Sequence, residues 1–288
     1  MPSLKDIRNR IASVKSTQQI TKAMKMVSGA KMRRAHDAAV AARPYADKVE
    51  ELMSRVAAAS TEVSHPLLQR PDARRAIIVV VTSDRGLCGG FNHQLLRKVE
   101  AEIRSAAEWD HQIVAVGRKG RDYLRKRGYD LIDSHVEMGG KFTADFVREL
   151  VVRPLEWFAN GEIGRVALAF NAFRSALSQV PTFEEVLPVP MPEGAEEQVA
   201  GEAEYLFEPE AAAVLAALLP RYVESRVLHA LLESEVSEHS ARMTAMDAAT
   251  NNADELIRYL TLTMNRARQA MITKELLDIV GGAEALSA

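Results

Sequence analysis

From Arg221 to Val280 the sequence contains neither proline nor glycine, and between residues 3 and 58 only Gly29 and Pro44 interrupt. Few folds accommodate two such stretches at opposite ends of one chain. In the first, a heptad-like register collects Leu4, Ile7, Ile11, Val14, Gln18, Thr21, Lys25, Ser28, Met32, Ala35, Ala39, Ala42, Ala46, Val49, Met53 and Val56. It predicts one helix of about 55 residues, roughly 80 Å long at 1.5 Å per residue. Pro44 removes a single backbone donor and is expected to kink that helix without ending it. In the second stretch, apolar or small residues recur at Val227, Leu231, Ala245, Ala249, Leu256, Leu260, Met264, Ala267, Met271 and Ile279, mostly three or four apart. Both stripes are too narrow to anchor in a globular core, yet they suit one another. They predict a left-handed, antiparallel coiled coil of the two chain ends, with separate bundle helices as the alternative.

The middle has a different grammar. Short apolar runs alternate with amphipathic ones, giving expected strands at 76–83, 112–117, 131–136 and 165–173, with another near 182–188, and helices at about 92–107, 118–127 and 143–160. The fold class expected is therefore mixed: a Rossmann-like α/β domain inserted between the two halves of a long antiparallel coiled coil. In this division residues 1–58 form the first helix, the aperiodic "STEVSHPLLQRPD" lies in a linker over 59–75, 76–208 form the α/β domain and 209–288 return to the coil. Within the last part "EPEAAAVLAALLP" reads as a short helix with Pro209 near its first turn, which Pro220 breaks or follows with a new one.

Chemistry is hard to find. The first strand runs into "SDRGLCGGFN", a turn of the kind that often cradles a phosphate. Neither the G-x-G-x-x-G spacing of a dinucleotide site nor the terminal Lys-Ser/Thr of a P-loop is present, so a tight strand-to-helix turn is the better reading. Cys88, the single cysteine, excludes an internal disulfide and lacks a neighbouring base for thiol catalysis. The seven histidines include no H-x-x-x-H pair. "ESEVSEHS" places Ser, Glu and His in different directions around one helix and makes no relay. No apolar run approaches the ~20 residues that cross a bilayer, and the first ten residues are too polar for a secretory signal, so a reducing, non-secreted setting is expected.

Charge is informative only locally, since the formal net charge is -2. Through Arg34 the first helix carries Lys5, Arg8, Arg10, Lys15, Lys22, Lys25, Lys31, Arg33 and Arg34 against Asp6 alone. Nucleic acid, an acidic protein collar and plain solvation all fit such a run. The absence of aromatic residues before Tyr45 weakens single-strand binding. Met24 and Met26, set among the charges, suit either a surface that re-packs or a gap in the coil.

Five segments, in order, resemble the γ subunit of F-type ATP synthases: "IASVKSTQQITKAMKMVSGAKMRRA", "SDRGLCGGFN", "FNAFRSALSQVPTFEEVLP", "ARMTAMDAATNNADELIRYL" and "NRARQAMITKELLDIVGGAEAL". The resemblance spans essentially the whole chain. It implies a non-catalytic central rotor shaft that couples proton-driven c-ring rotation to conformational cycling of the catalytic β subunits. Implied partners are the hexamer of α and β subunits, the ε subunit and the c-ring; no cofactor, direct nucleotide binding or nucleic acid is expected. The implied location is a peripheral complex on the cytoplasmic face of the bacterial inner membrane. By position, Met24 and Lys25, with neighbouring Lys22, resemble the segment facing β-subunit acidic loops; Arg33 and Arg34, from the same basic run, are further candidate partner contacts. Arg242, Arg268, Gln269, Thr273 and Glu275 match the C-terminal coupling segment, and Tyr205 lies near the loop that faces the c-ring. Pro220 departs from the family's pattern, and the cysteine pair of chloroplast members is absent, so thiol regulation is not expected.

Overall fold

A computed structural model describes residues 3–59, 65–190 and 210–287. It contains a first helix α1 (Leu4–Ala59), strands β1 (Arg75–Val81), β2 (Asp110–Val116), β3 (Asp130–His135), β4 (Arg165–Ser175) and β5 (Ser178–Leu187), and helices α2 (Phe91–Ser105), α3 (Arg118–Lys126), α4 (Ala144–Ala159) and α5 (Ala211–Ser287). Two compact units are present. One joins residues 1–27 to residues 243–288, and the other spans Ser28–Arg242.

The larger unit is built on a five-stranded sheet of order β3-β2-β1-β4-β5, parallel except for the antiparallel edge strand β5. β1, "RAIIVVV", is covered on both faces, which is why it reads as a continuous apolar run. Ile78 and Val80 pack under α2 and α3 with Leu95, Val99 and Leu124. Ile77, Val79 and Val81 point the other way, into a core shared with α4, the end of α1 and the start of α5. β5 begins earlier than its apolar residues suggested because β4 and β5 close a hairpin, and Pro181 is tolerated there on an edge.

α1 starts with a reciprocal cap. Ser3 Oγ accepts from Asp6 N at 3.2 Å while Asp6 Oδ2 accepts from Ser3 N at 3.1 Å. Ser3 Oγ also donates to Asp6 Oδ2 at 2.7 Å, and this bond, with that from Ser3 N after it, holds the Asp6 carboxyl below its ordinary range. All sixteen positions of the sequence register, Leu4 to Val56, are buried or half-buried, while Ala30, Lys31, Arg33 and their neighbours on the other faces are exposed. Pro44 lies inside the helix, which continues past it.

The second helix departs from expectation. α5 is unbroken from Ala211 to Ser287 and runs through Pro220. A proline loses one backbone bond and crowds the preceding turn. Here Leu215, Leu219, Val223 and Val227, on both sides of it, are all at most 2% exposed in the sheet domain's core. Each such burial stabilises by about 1.5–3 kcal/mol, enough together to outweigh the local cost. The same residues, with Val49, Met53 and Val56 of α1, overturn the reading that the terminal stripes cannot anchor in a globular core.

In the smaller unit the two helices run antiparallel. Thr21 Oγ1 lies 2.8 Å from Thr250 Oγ1, and Lys25 Nζ lies 2.6 Å from Asp247 Oδ1, so a step up one helix is a step down the other. Continued along the coil, this register sets Gln18 against Ala253, Ile11 against Leu260 and Leu4 against Ala267, and Ala253 and Leu260 are buried as it requires. The seam of α5 is therefore Met246, Ala253, Ile257 and Leu260; Leu256, Met271 and Ile279 are exposed instead. Leu256 is one residue out of phase. Met271 and Ile279 lie beyond Leu4, where α1 offers no partner. In a Cys88→Ala background, cysteines at Ile11 and Leu260 are expected to form a disulfide on mild oxidation. Cysteines at Ile11 and Met271, offset by roughly 16 Å along the helix, are not. The reverse pattern on a non-reducing gel would refute the register.

Candidate functional site

The glycine turn after β1 answers to local needs of the fold. Thr82 Oγ1 accepts from Gly120 N at 2.8 Å, Ser83 O from Lys119 N at 3.0 Å, and Asp84 Oδ1 from Arg118 N at 3.0 Å. The three leading N–H groups of α3 are thus filled by three consecutive residues of the turn. A helix N-terminus behind a parallel strand is where such sheets hold phosphate. In this chain the Asp84 carboxylate occupies that role. Gly117, at the end of β2, has φ +99°, and a Cβ there would lie 2.1 Å from Thr82 O. Glycine at 117 thus serves the close approach of two backbones, not of a ligand.

Asn92 locks the turn from α2. Its side chain donates to Ser83 Oγ at 2.7 Å and reaches Cys88 Sγ at 3.2 Å, and its Oδ1 accepts from Ser83 N at 3.0 Å. Burial pushes the Cys88 thiol above its usual range, against the smaller lowering effect of its bond with Ser83. A thiol held protonated is a poor nucleophile. In the folded chain Cys88 is expected to react with a maleimide at pH 7.5 at least tenfold more slowly than in denaturant, and Cys88→Ala to leave the activity of a reconstituted complex within twofold. Equal reaction rates would show the thiol to be accessible. Gly89, by contrast, has φ +58° and is strained by any side chain.

α5 grips the same turn through Arg242. The residue is 8% exposed, and its guanidinium donates to Arg85 O at 3.1 Å and Gly86 O at 3.3 Å, pairs with Glu238 at 2.8 Å, and lies 3.3 Å from His239 Nδ1. This residue, placed by resemblance in a partner-facing segment, spends its donors inside its own chain. A cavity of about 390 Å³ opens beside it, past the carboxyl ends of β1 and β2, lined by Thr82, Gly117, Met138, Glu235 and His239 among others. Of the charged residues that line it, Arg118 pairs with Glu137 and Glu238 with Arg242. Among the described residues no group of three or more His, Cys, Asp or Glu side chains is placed to hold a metal ion. Among them, too, no helix is long and apolar enough to cross a membrane.

The remaining candidates divide by helix. On α1, Lys22, Arg33 and Arg34 are exposed, Met24 lies half-buried, and Lys25 is held by Asp247. Met26, at 64% exposure, faces outward, so the two methionines serve different surfaces. On α5, Arg268, Gln269, Thr273 and Glu275 are all exposed in the stretch past Leu4. The sequence reading missed what surrounds them: Ile272, Leu276, Leu277, Ile279 and Val280 are bare, as are Tyr259 and Leu262 further back. A broad exposed apolar band on a helix marks a surface that something else covers. Tyr205 lies outside the described residues.

The architecture defines a class: a chain with an α/β domain inserted in sequence between two long terminal helices, whose ends pair antiparallel. A family model described as ATP synthase matches residues 3–286. The ATP synthase gamma chain of Desulforamulus reducens is 51% identical over 286 residues, covering 99% of this chain and all of the relative; that of Pelotomaculum thermopropionicum is 49% identical with the same coverage. Among solved structures, a chain of the Tetrahymena thermophila mitochondrial ATP synthase central stalk and c-ring shares 28% identity at TM-score 0.59, over 80% of this chain and 99% of that one. A chain of the Euglena gracilis mitochondrial enzyme matches the fold over 98% of this chain at TM-score 0.66 and 22% identity. The chain belongs to the ATP synthase γ-chain family, and its role is that of the central stalk.

Proposed function

We infer that this stalk subunit performs no chemistry of its own and works by presenting an asymmetric surface to a catalytic hexamer of α and β subunits. The observation that carries the reading is the exposed apolar band of α5 beyond Ala267, which continues the helix past the start of α1 with Ile272, Leu276, Leu277 and Ile279 uncovered. Enclosure by a collar would bury that band. The outward cations of α1, Lys22, Arg33 and Arg34, suit acidic loops on the same collar. The filling of the α3 N-terminus by Asp84 supports the absence of a nucleotide site in the α/β domain.

Coupling is a matter of biased equilibria. Driving a two-state catalytic site from 1:99 to 99:1 takes about 5.5 kcal/mol of differential contact energy, whereas one exposed ion pair supplies at most about 1 kcal/mol. Transmission is therefore spread along many contacts of the stalk. On this reading the α/β domain engages the ε subunit and a c-ring turned by proton flow, on the cytoplasmic face of a bacterial membrane. Co-expression with α and β subunits tests it: the full chain is expected to co-purify with them in a complex that hydrolyses ATP. A chain ending at Ala267 is expected to assemble but to pump fewer protons per ATP. Failure of the full, folded chain to co-purify would overturn the reading.

A further inference from the structure

We propose that the outer face of the α2–α3 layer is an electrostatic docking surface for anionic phospholipid headgroups. The two helices cover one side of the sheet and bury Leu95, Leu96, Val99 and Leu124 beneath them. Outward they leave Arg97, Arg104, Lys119, Arg125 and Lys126 exposed and Lys98 half-buried, none of which has an ion pair with a described residue. The local carboxylates do little to offset them. Glu100 is taken by Arg127 and Asp122 by Arg121, which leaves Glu102 as the one other acidic residue on the two helices; the exposed Glu108, Asp110 and Asp130 follow past their C-terminal ends. A chain of net charge -2 has thus gathered a strongly positive face on one side of its sheet.

The composition of that face selects the partner. None of the large exposed hydrophobic residues of the described chain lies between Phe91 and Arg127, and protein interfaces draw most of their energy from buried aromatic or aliphatic anchors at their centre. Single-stranded nucleic acid needs open rings to stack on. Here Tyr123 is covered by the Arg127 guanidinium at 4.0 Å from its ring, and Tyr129 packs against the core. A layer of lipid headgroups needs neither anchors nor rings, only cations free of competing carboxylates, each strengthening attachment about fivefold. It also has no angular register, so a turning subunit crosses it without a preferred stop. That last point rests on the stalk reading above; the charge argument does not.

The test is co-sedimentation of the full chain with phosphatidylcholine vesicles containing 30% phosphatidylglycerol, and with pure phosphatidylcholine vesicles, at low and moderate salt. Binding is expected to the anionic vesicles alone and to fall steeply as salt rises. The triple variant Lys119→Glu, Arg125→Glu, Lys126→Glu is expected to lose at least tenfold in vesicle affinity, with an unchanged far-ultraviolet dichroism spectrum. Arg125→Lys with Lys126→Arg is expected to bind as the parent does. A second triple variant, Lys22→Glu, Arg33→Glu, Arg34→Glu, controls for the other basic stretch and is expected to lose less than threefold. The proposal is overturned if the α3 reversal leaves binding intact, if the α1 reversal lowers it more, or if polyglutamate or duplex DNA is bound more tightly than the vesicles. Co-purification with α and β subunits is measured in parallel. A chain that assembles but ignores the vesicles sinks the docking surface only, and one that binds vesicles but never assembles sinks the stalk reading only.

Discussion

Arg242→Ala is expected to destabilise the Ser28–Arg242 unit by about 2–4 kcal/mol. Breaking a buried pair by removing one partner costs about 3–5 kcal/mol when the other charge stays buried, and Glu238, with a side chain 20% exposed, recovers part of that in solvent. The two turn carbonyls add to the loss, because Arg85 O and Gly86 O each give up a charged donor. For a unit of this size the change lowers the melting temperature by about 5–15 °C. Arg242→Lys keeps the pairing with Glu238 but has a single nitrogen in place of a planar fork, and is expected to recover less than half of the difference. Arg258→Ala, at an exposed position of the same helix, is the control and is expected to fall within about 0.5 kcal/mol of the parent. Thermal unfolding followed by circular dichroism reads all three. An alanine variant that melts with the parent would show that the turn is held by Asn92 and Asp84 without help from α5.

That expectation was not legible in the sequence, for a physical reason. Periodicity reports which face of a helix is buried, and it reported α1 faithfully: Leu4 through Val56 line one seam because nothing in that stretch competes with the repeat. It also located β1, α2, α3 and α4 to within a few residues, since Ile77–Val81 is apolar throughout and each helix has a single greasy side. A buried arginine breaks the pattern it belongs to. Arg242 looks like a solvent-facing charge until the turn at Arg85 is folded against it, a contact across more than 150 residues of chain. Asp84 is similar, an ordinary turn residue in sequence whose task, capping α3, is defined by a helix that begins at Arg118. Pro220 misled in the opposite direction. Local propensity argued for a break, and the packing of Leu215, Leu219 and Val223 on the sheet decided otherwise.

Charge reversal on the outer face of α1 should reduce coupling strongly while leaving the fold intact. The variant is Lys22→Glu, Arg33→Glu, Arg34→Glu. Lys25 is left alone, because its Nζ lies 2.6 Å from Asp247 Oδ1 and a glutamate there would set two carboxylates against each other inside the coil. The three chosen residues are exposed and off the seam, so the α1–α5 pairing is expected to survive. Each contact with an acidic loop is worth only about 0.2–1 kcal/mol, and a single neutralisation should change the ratio of pumping to hydrolysis by less than a factor of two. Reversal removes attraction and adds repulsion at each position, so three together shift the balance between stalk positions by about 1.4 kcal/mol or more, a tenfold change in an equilibrium. Raised ionic strength should lessen the defect, since these charges are open to solvent. Reconstituted vesicles give the pumping rate and the hydrolysis rate side by side, with assembly checked first by co-purification. An assembled triple variant whose ratio matches the parent would assign transmission to the apolar band of Ile272, Leu276 and Ile279 and leave the cations of α1 as a solvated face.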